Sequence, residues 1–210
     1  MTILSVDAGT TGVTALIVDK DGQIISRGYS EFPQHFPQEG WVEHDPEEIW
    51  AATLVSVSSA LKDLTDPLDL PTAVGITNQR ETIVLWDRRS LKAPRRAIVW
   101  QDRRTAGICD QLRADGQEPR VPELTGLRLD PYFSATKLSW ILLNEPQIWA
   151  GVQAGTTAVG TVDSFLIARM TGGRSHITDP SNASRTLLFD IHAGVWSEEL
   201  CDIFRVPMGC

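Results

Sequence analysis

The sequence predicts an α/β domain built on a mixed sheet, and three observations carry that reading. The chain opens strand, turn, strand, turn, strand. A cleanly started helix follows, and the remainder alternates short apolar runs with helical patterns. At 210 residues, with 42% hydrophobic and 22% charged, the chain is long enough to bury a core and ordinary for a globular protein.

The opening strands are Thr2 to Val6, Val13 to Asp19 and Gln23 to Ser26, with Asp21-Gly22 marking a tight hairpin between the last two. Residues 31 to 43, with two prolines and a glycine, read as an irregular connection. Asp45 then caps a helix, Pro46 takes its first position, and Glu48 completes a capping box. Trp50, Leu54, Val57, Leu61 and Leu64 recur at spacings of four and three, which predicts one apolar face, and Asp66-Pro67 should end the helix.

The stretch "VGITNQRETIVLWD", residues 74 to 87, reads as two strand pieces, Val74-Gly75-Ile76 and Ile83-Val84-Leu85-Trp86, around the polar joint Asn78-Gln79-Arg80-Glu81. Another apolar run, Ala97 to Trp100, follows. Residues 105 to 115 predict a helix closed by Gly116, and 134 to 143 a second one stopped near Pro146. Thr157 to Thr161 predicts a strand that leads into a short helix, Asp163 to Met170, backed by Gly172-Gly173. A further strand is expected over Thr186 to Ile191, and Ser197 should cap a helix with Glu198 and Glu199 in its first turn. No repeat or low-complexity tract interrupts this order.

Composition excludes several classes. No apolar run approaches the length that spans a bilayer, and Met1 to Val6 lack the charged segment of a signal peptide. Cys109, Cys201 and Cys210 are scattered without metal-ligand spacing, which suits a reducing cytoplasm. A net charge of -8 argues against nucleic acid as a partner. The pairs Arg88-Arg89, Arg95-Arg96 and Arg103-Arg104 read as solvated surface. The abrupt stop at Cys210 reads equally as a natural terminus or as a cut through a longer protein.

Between the first two strands lies Asp7-Ala8-Gly9-Thr10-Thr11-Gly12. Consecutive amides in a glycine turn can form an anion-binding nest, and Asp7 at the strand end could hold a hydrated Mg²⁺. A tight hairpin using glycine for geometry and threonine for strand propensity explains the same residues. No Gly-Lys-Ser/Thr follows, so this is not a Walker motif. The Arg80-Glu81 pair alone reads as a surface ion pair, which contributes little.

Seven stretches in register change that weighting: "DAGTT", "GWVEHDPEEIW", "GITNQRET", "AIVWQDRRT", "DPYFSATKLSWIL", "GTVDSFL" and "HITDPSNASRTLLFDIH". Together they closely resemble the glycerol-kinase branch of the FGGY carbohydrate-kinase family, from Val6 to about Pro207. The resemblance implies a ribonuclease-H-like, actin-like fold in two lobes, of which residues 1–210 would be the N-terminal one. It implies that Arg80 and Glu81 bind glycerol hydroxyls, a pure donor beside a pure acceptor. Tyr132 would meet the same ligand with its hydroxyl, and Trp100 would pack on the carbon backbone. Asp7, Gly9, Thr10 and Thr11 match the family's phosphate turn, so Gly9, Thr10 and Thr11, with Gly12 of the same turn, would hold nucleotide phosphates, and Mg²⁺ would sit at Asp7.

Trp41, Trp50, Trp86, Trp140, Trp149 and Trp196 are expected to pack. Asp163 is expected to be a helix-capping or cleft-shaping residue, and His176 and His192 to be structural. One departure is that Gly12-Val13-Thr14 stand where the family commonly has Ser-Ser-Arg, which removes a fixed positive charge from the phosphate site.

The reaction implied is ATP-dependent phosphorylation of glycerol, resting on positioning and charge neutralisation. The family's general base lies in a segment beyond Cys210, so little activity is expected of this chain without the other lobe, its implied partner. A homo-oligomer stays open. Two other readings stand beside it: an FGGY kinase for another polyol or a ketose such as a pentulose, and a non-catalytic actin-like binding module.

Overall fold

The computed structural model describes residues 2–62, 64 and 70–210. The first elements are β1 (Ile3–Ala8), β2 (Gly12–Val18), β3 (Ile24–Glu31), β4 (Glu43–His44), α1 (Pro46–Lys62) and β5 (Ala73–Asn78). Next come β6 (Val84–Asp87), β7 (Ala97–Ile98), α2 (Ala106–Ala114), α3 (Arg120–Thr125), α4 (Ser134–Asn144) and α5 (Pro146–Gln153). The last are β8 (Thr157–Gly160), α6 (Val162–Met170), α7 (Pro180–Ala183), β9 (Phe189–Asp190), β10 (Val195–Trp196) and α8 (Glu198–Phe204). The chain forms two compact units: Met1–Gln34 with His44–Gln79, and His35–Glu43 with Arg80–Cys210.

The first unit is a four-stranded sheet in the order β3-β2-β1-β5. β1 and β2 pair antiparallel, as do β2 and β3, whereas β5 joins β1 in parallel, so the sheet is mixed as predicted. Alternation turns Leu4, Val6 and Ala8 of β1, and Val13, Ala15 and Ile17 of β2, into the core. Asp19 fixes the hairpin, its carboxylate accepting from the backbone N–H of Asp21 and of Gln23, each at 2.8 Å. β3 runs on to Glu31, beyond the expected end at Ser26.

Helix α1 starts at Pro46 behind the Asp45 cap, as read. Asp45 accepts from the Glu47 N–H at 2.9 Å. Its buried face is not the expected one, however. Ile49, Ala52, Thr53, Ser56 and Ala60 turn inward, while Leu54 is 48% exposed and Trp50 and Val57 are half-buried. The reason lies on β3. A Cβ at Gly28 would stand 1.9 Å from the Ser56 carbonyl oxygen, so helix and strand touch backbone to backbone and only small side chains fit between them. Ser56 Oγ, buried there, donates to the Val13 carbonyl at 2.8 Å. The expected stop at Asp66-Pro67 lies outside the described residues.

The second unit holds its own core. Ile83 and Leu85 from the β6 edge, Ile98, Leu129, Leu138, Ile141, Trp149 and Phe204 are all buried in one cluster. β6 pairs with β8 antiparallel, not with β5. The polar joint between β5 and β6 is therefore no hairpin: the chain leaves the first unit after Gln79 and enters the second at Arg80. Pro146 both follows α4 and occupies the first turn of α5, a helix the periodicity did not predict. The short helices α3 and α7 were also not anticipated. Of the strand expected over 186–191, only Phe189–Asp190 forms. Ser197 caps α8 as read, accepting from the Leu200 N–H at 3.2 Å. Gly116, at φ 77°, closes α2.

Two of the arginines read as surface are not. The side chain of Arg104 is 1% exposed and its Nη2 lies 2.8 Å from both Glu43 Oε1 and Asp102 Oδ2. Its guanidinium stacks 3.6 Å over the Trp41 ring. Arg95, 8% exposed, pairs with Glu145 at 2.7 Å. These cations are buried because carboxylates and an indole face meet them, and the same Asp102 accepts the Val42 N–H at 2.7 Å. The strip 35–43 is thereby clamped into the second unit. The expectation of an irregular connection holds, but the connection is anchored.

Candidate functional site

Four side chains predicted to meet a ligand lie in the second unit, and the structure brings three of them together. The joint after Gln79 turns through Glu81, whose φ of 63° is one a β-substituted residue rarely adopts. Glu81 is 3% exposed. Two anchors hold it. Ser134 Oγ, at the start of α4, donates to the Glu81 carbonyl at 3.1 Å, and Arg185 Nε donates to Glu81 Oε1 at 2.5 Å. Burial pushes the Glu81 carboxyl above the usual carboxylate range, while Arg185, followed by Lys137 and Arg80, pulls it back.

Trp100 and Tyr132 form the aromatic side. Their ring centroids are 5.4 Å apart at 58°, and the Trp100 N–H donates to Thr82 Oγ1 at 3.2 Å, which ties the tryptophan to the joint. Arg185 bridges to them, its guanidinium 5.6 Å from the Tyr132 ring and 5.0 Å from that of Phe133. The turn carrying Tyr132 is fixed from below. Lys137, fully buried, donates to the carbonyls of Pro131 at 2.7 Å, Tyr132 at 2.7 Å and Phe133 at 2.9 Å. An ammonium has three donors, and all three are used. Burial pushes the Lys137 pKa down to about 7.

Arg80 follows the same joint but is exposed, and its guanidinium takes no hydrogen bond or ion pair with the described residues. Arg185 was missed by sequence reasoning, although "NASRT" contains it; an unassigned arginine inside a matched motif was the available signal. Lys137, in "SATK", was missed because lysine ordinarily belongs on the surface.

The predicted phosphate turn lies in the first unit. The Gly9 N–H is spent internally on the Gly12 carbonyl at 3.0 Å, closing a tight bend. Gln79 braces it, its N–H donating to the Ala8 carbonyl at 2.8 Å and its Nε2 to the Gly9 carbonyl at 3.0 Å. Thr11 is exposed, Thr10 half-buried. Gly12 has a packing reason of its own: a Cβ there would stand 2.8 Å from both the Ser30 carbonyl oxygen and the Tyr29 hydroxyl. Asp7 is exposed near the end of β1. Among the described residues no group of three or more histidine, cysteine, aspartate or glutamate side chains could hold a metal. One carboxylate still fits Mg²⁺, which keeps most of its waters and takes phosphate oxygens for the rest.

Asp163, 4% exposed, accepts from the hydroxyl of Thr161 and, at 2.7 Å, from that of Thr178, so it joins the start of α6 to the segment before α7. His176 shares a hydrogen bond with the Val159 carbonyl at 2.9 Å, and His192 one with that of Glu123 at 3.0 Å. Both act as struts. A cavity of about 200 Å³ lies elsewhere in the second unit, between Val159, His176, Leu188, Cys201 and Met208, and none of the predicted site residues lines it.

Comparison with known proteins shows the family and the fold. The FGGY family of carbohydrate kinases, N-terminal domain, matches residues 2–209. A glycerol kinase of Methylobacterium nodulans is 54% identical over 205 residues, which are 98% of this chain and 41% of that protein. One from Bradyrhizobium diazoefficiens is 52% identical over the same shares. Among solved structures, Plasmodium falciparum glycerol kinase with ADP superposes with a TM-score of 0.89 at 35% identity, covering 97% of this chain and 40% of that one. A kinase from Brucella ovis described as a xyloylose kinase does so at 0.89 with 28% identity, covering 100% and 42%. The chain thus spans about two fifths of the length of these relatives. Its fold is the actin-like one, with the antiparallel opening and mixed sheet expected. The chain belongs to the FGGY family of carbohydrate kinases and matches that family's N-terminal domain.

Proposed function

We propose that this chain is the N-terminal lobe of a glycerol kinase, which moves the terminal phosphoryl group of ATP to a primary hydroxyl of glycerol. The observation that carries the reading is the grouping of Glu81, Tyr132 and Trp100 in one unit, with Arg80 next in the chain to the carboxylate. A hydroxyl donates one proton and accepts at two lone pairs. Glu81 supplies the acceptor, Arg80 and the Tyr132 hydroxyl supply donors, and the Trp100 face covers the C–H edge of a three-carbon polyol.

Gly9, Thr10, Thr11 and Gly12 are the residues we assign to the nucleotide phosphates, and Asp7 to Mg²⁺. The ion would neutralise phosphate charge when bound. Transfer also requires a base for the hydroxyl proton. Glu81 is engaged by Arg185 and Asp163 by two threonine hydroxyls, so we assign that role to neither. The base and the rest of the nucleotide site would come from the second lobe, in keeping with relatives more than twice this length. Three unpaired cysteines fit a cytoplasmic setting.

A second reading, a kinase for a pentulose, is favoured by Gly12-Val13-Thr14 and by the likeness to the Brucella ovis enzyme. Calorimetric titration of the chain with glycerol and with D-xylulose separates the two. Glycerol should bind, with E81Q weakening it at least about 10-fold, and a coupled ADP-release assay on the chain alone should show little turnover. Preference for xylulose, or glycerol binding indifferent to E81Q, would reject the assignment.

A further inference from the structure

Glu81 and Arg185 are 104 residues apart in sequence, yet two consecutive residues of α4 set the distance between them. Ser134 Oγ holds the Glu81 carbonyl at 3.1 Å, and the Ala135 N–H holds the Thr186 carbonyl at 2.8 Å. The turn bearing Arg185 is fixed again from α7, where the Arg185 N–H donates to the Asn182 carbonyl at 3.0 Å. Three segments thus converge on one ion pair. The contact uses Oε1 alone; Glu81 Oε2 has no hydrogen-bond partner among the described residues.

We infer that Arg185 is a positioning residue for polyol recognition: it occupies Glu81 Oε1, keeps the carboxylate an acceptor, and leaves Oε2 to receive a ligand hydroxyl. This rests on the reading of Glu81 as the polyol acceptor. A protonated carboxyl would offer one donor and lose the charged acceptor that a hydroxyl prefers. Burial drives Glu81 toward that protonated form, and Arg185 is the foremost opposing influence. Its guanidinium also lies over the rings of Tyr132 and Phe133, so one side chain orders both the acceptor and the aromatic side. The other charges facing Glu81 are Lys137 from α4 and Arg80 beside it in the chain, and neither is hydrogen-bonded to its carboxylate.

The test is a carbon-13 titration of the Glu81 carboxyl, assigned with E81Q, in the wild-type chain, R185Q and R185K. Glycerol affinity is measured alongside from pH 6 to 8.5. Arg185 is 30% exposed, so the variants should fold, and their melting curves verify it. We expect R185Q to titrate at least one pH unit higher than wild type, with R185K between. R185Q should bind glycerol at least about 10-fold more weakly at pH 6 and recover as pH rises, while wild type changes little. Lys137 titration, read at its own Cε, serves as the control common to all three chains. An unchanged Glu81 titration in R185Q, or an affinity loss equal at every pH, would overturn the inference. Absence of glycerol binding in every chain would instead remove the polyol reading, while the carboxyl titration still decides whether Arg185 governs Glu81.

Discussion

Lys137 shows how far a residue can depart from its usual habit when the backbone supplies partners. Three carbonyls surround its ammonium, and burial still presses the pKa down to about 7 from 10.5. The unfolded chain therefore binds the extra proton between those two values, so this group's contribution to stability rises with pH through that window. K137M leaves three buried carbonyls without a donor and should lose about 2–4 kcal/mol at pH 8. It should also lose the slope: urea midpoints of wild type should climb relative to K137M from pH 7 to 10, and parallel curves would contradict the assignment. Glu81 departs in another way. Its left-handed backbone is paid for by Ser134 and Arg185, and neither anchor could be read from an Arg-Glu dipeptide. Sequence reasoning found the ligand candidates because the motifs carried them; it missed Arg185 and Lys137 because their roles appear only once distant segments are brought together.

Helix α1 teaches a different lesson about what periodicity conveys. Its start was readable from Asp45 and Pro46, since capping is a local matter. Its orientation was not. Counting large apolar residues picked Leu54 and its neighbours, whereas the buried face is Ile49 with Ala52, Ser56 and Ala60. The deciding residue is Gly28 on another strand, which admits the helix backbone where any side chain would collide. G28A should consequently cost about 3 kcal/mol or more, seen as a lowered melting temperature; a change under 0.5 kcal/mol would mean that α1 does not lie so close to β3. The β9 region errs in the opposite direction. Thr186 to Ile191 has strand composition, but its backbone groups are taken by helices: the Thr186 and Leu188 carbonyls accept from the N–H of Ala135 and Ser197 at the starts of α4 and α8, while the Thr186 and Ile191 N–H donate to the carbonyls of Ala183 and Leu124. Backbone groups committed to helix ends are not available to a ladder.

For the molecule as a whole, the chain passes between the two units three times, after Gln34, after Glu43 and after Gln79. The strip 35–43 therefore belongs with residues 80–210, and it brings Trp41 and Glu43 to Arg104. Expressed alone, residues 80–210 should be insoluble or molten, because the Arg104 guanidinium would lose a carboxylate and an aromatic face that burial makes necessary. The same segment with 35–43 linked to its N-terminus should recover a cooperative urea transition; equal behaviour of the two would show the strip to be dispensable.

The threefold passage also bears on ancestry. A gene exchange with one breakpoint between Glu43 and Arg104 would take Trp41 and Glu43 from one parent and Arg104 from the other, so the buried cation keeps its indole and its acid only where both parents carry that trio. Crossovers that carry the strip and its distant arginine together leave the trio intact whatever the parents.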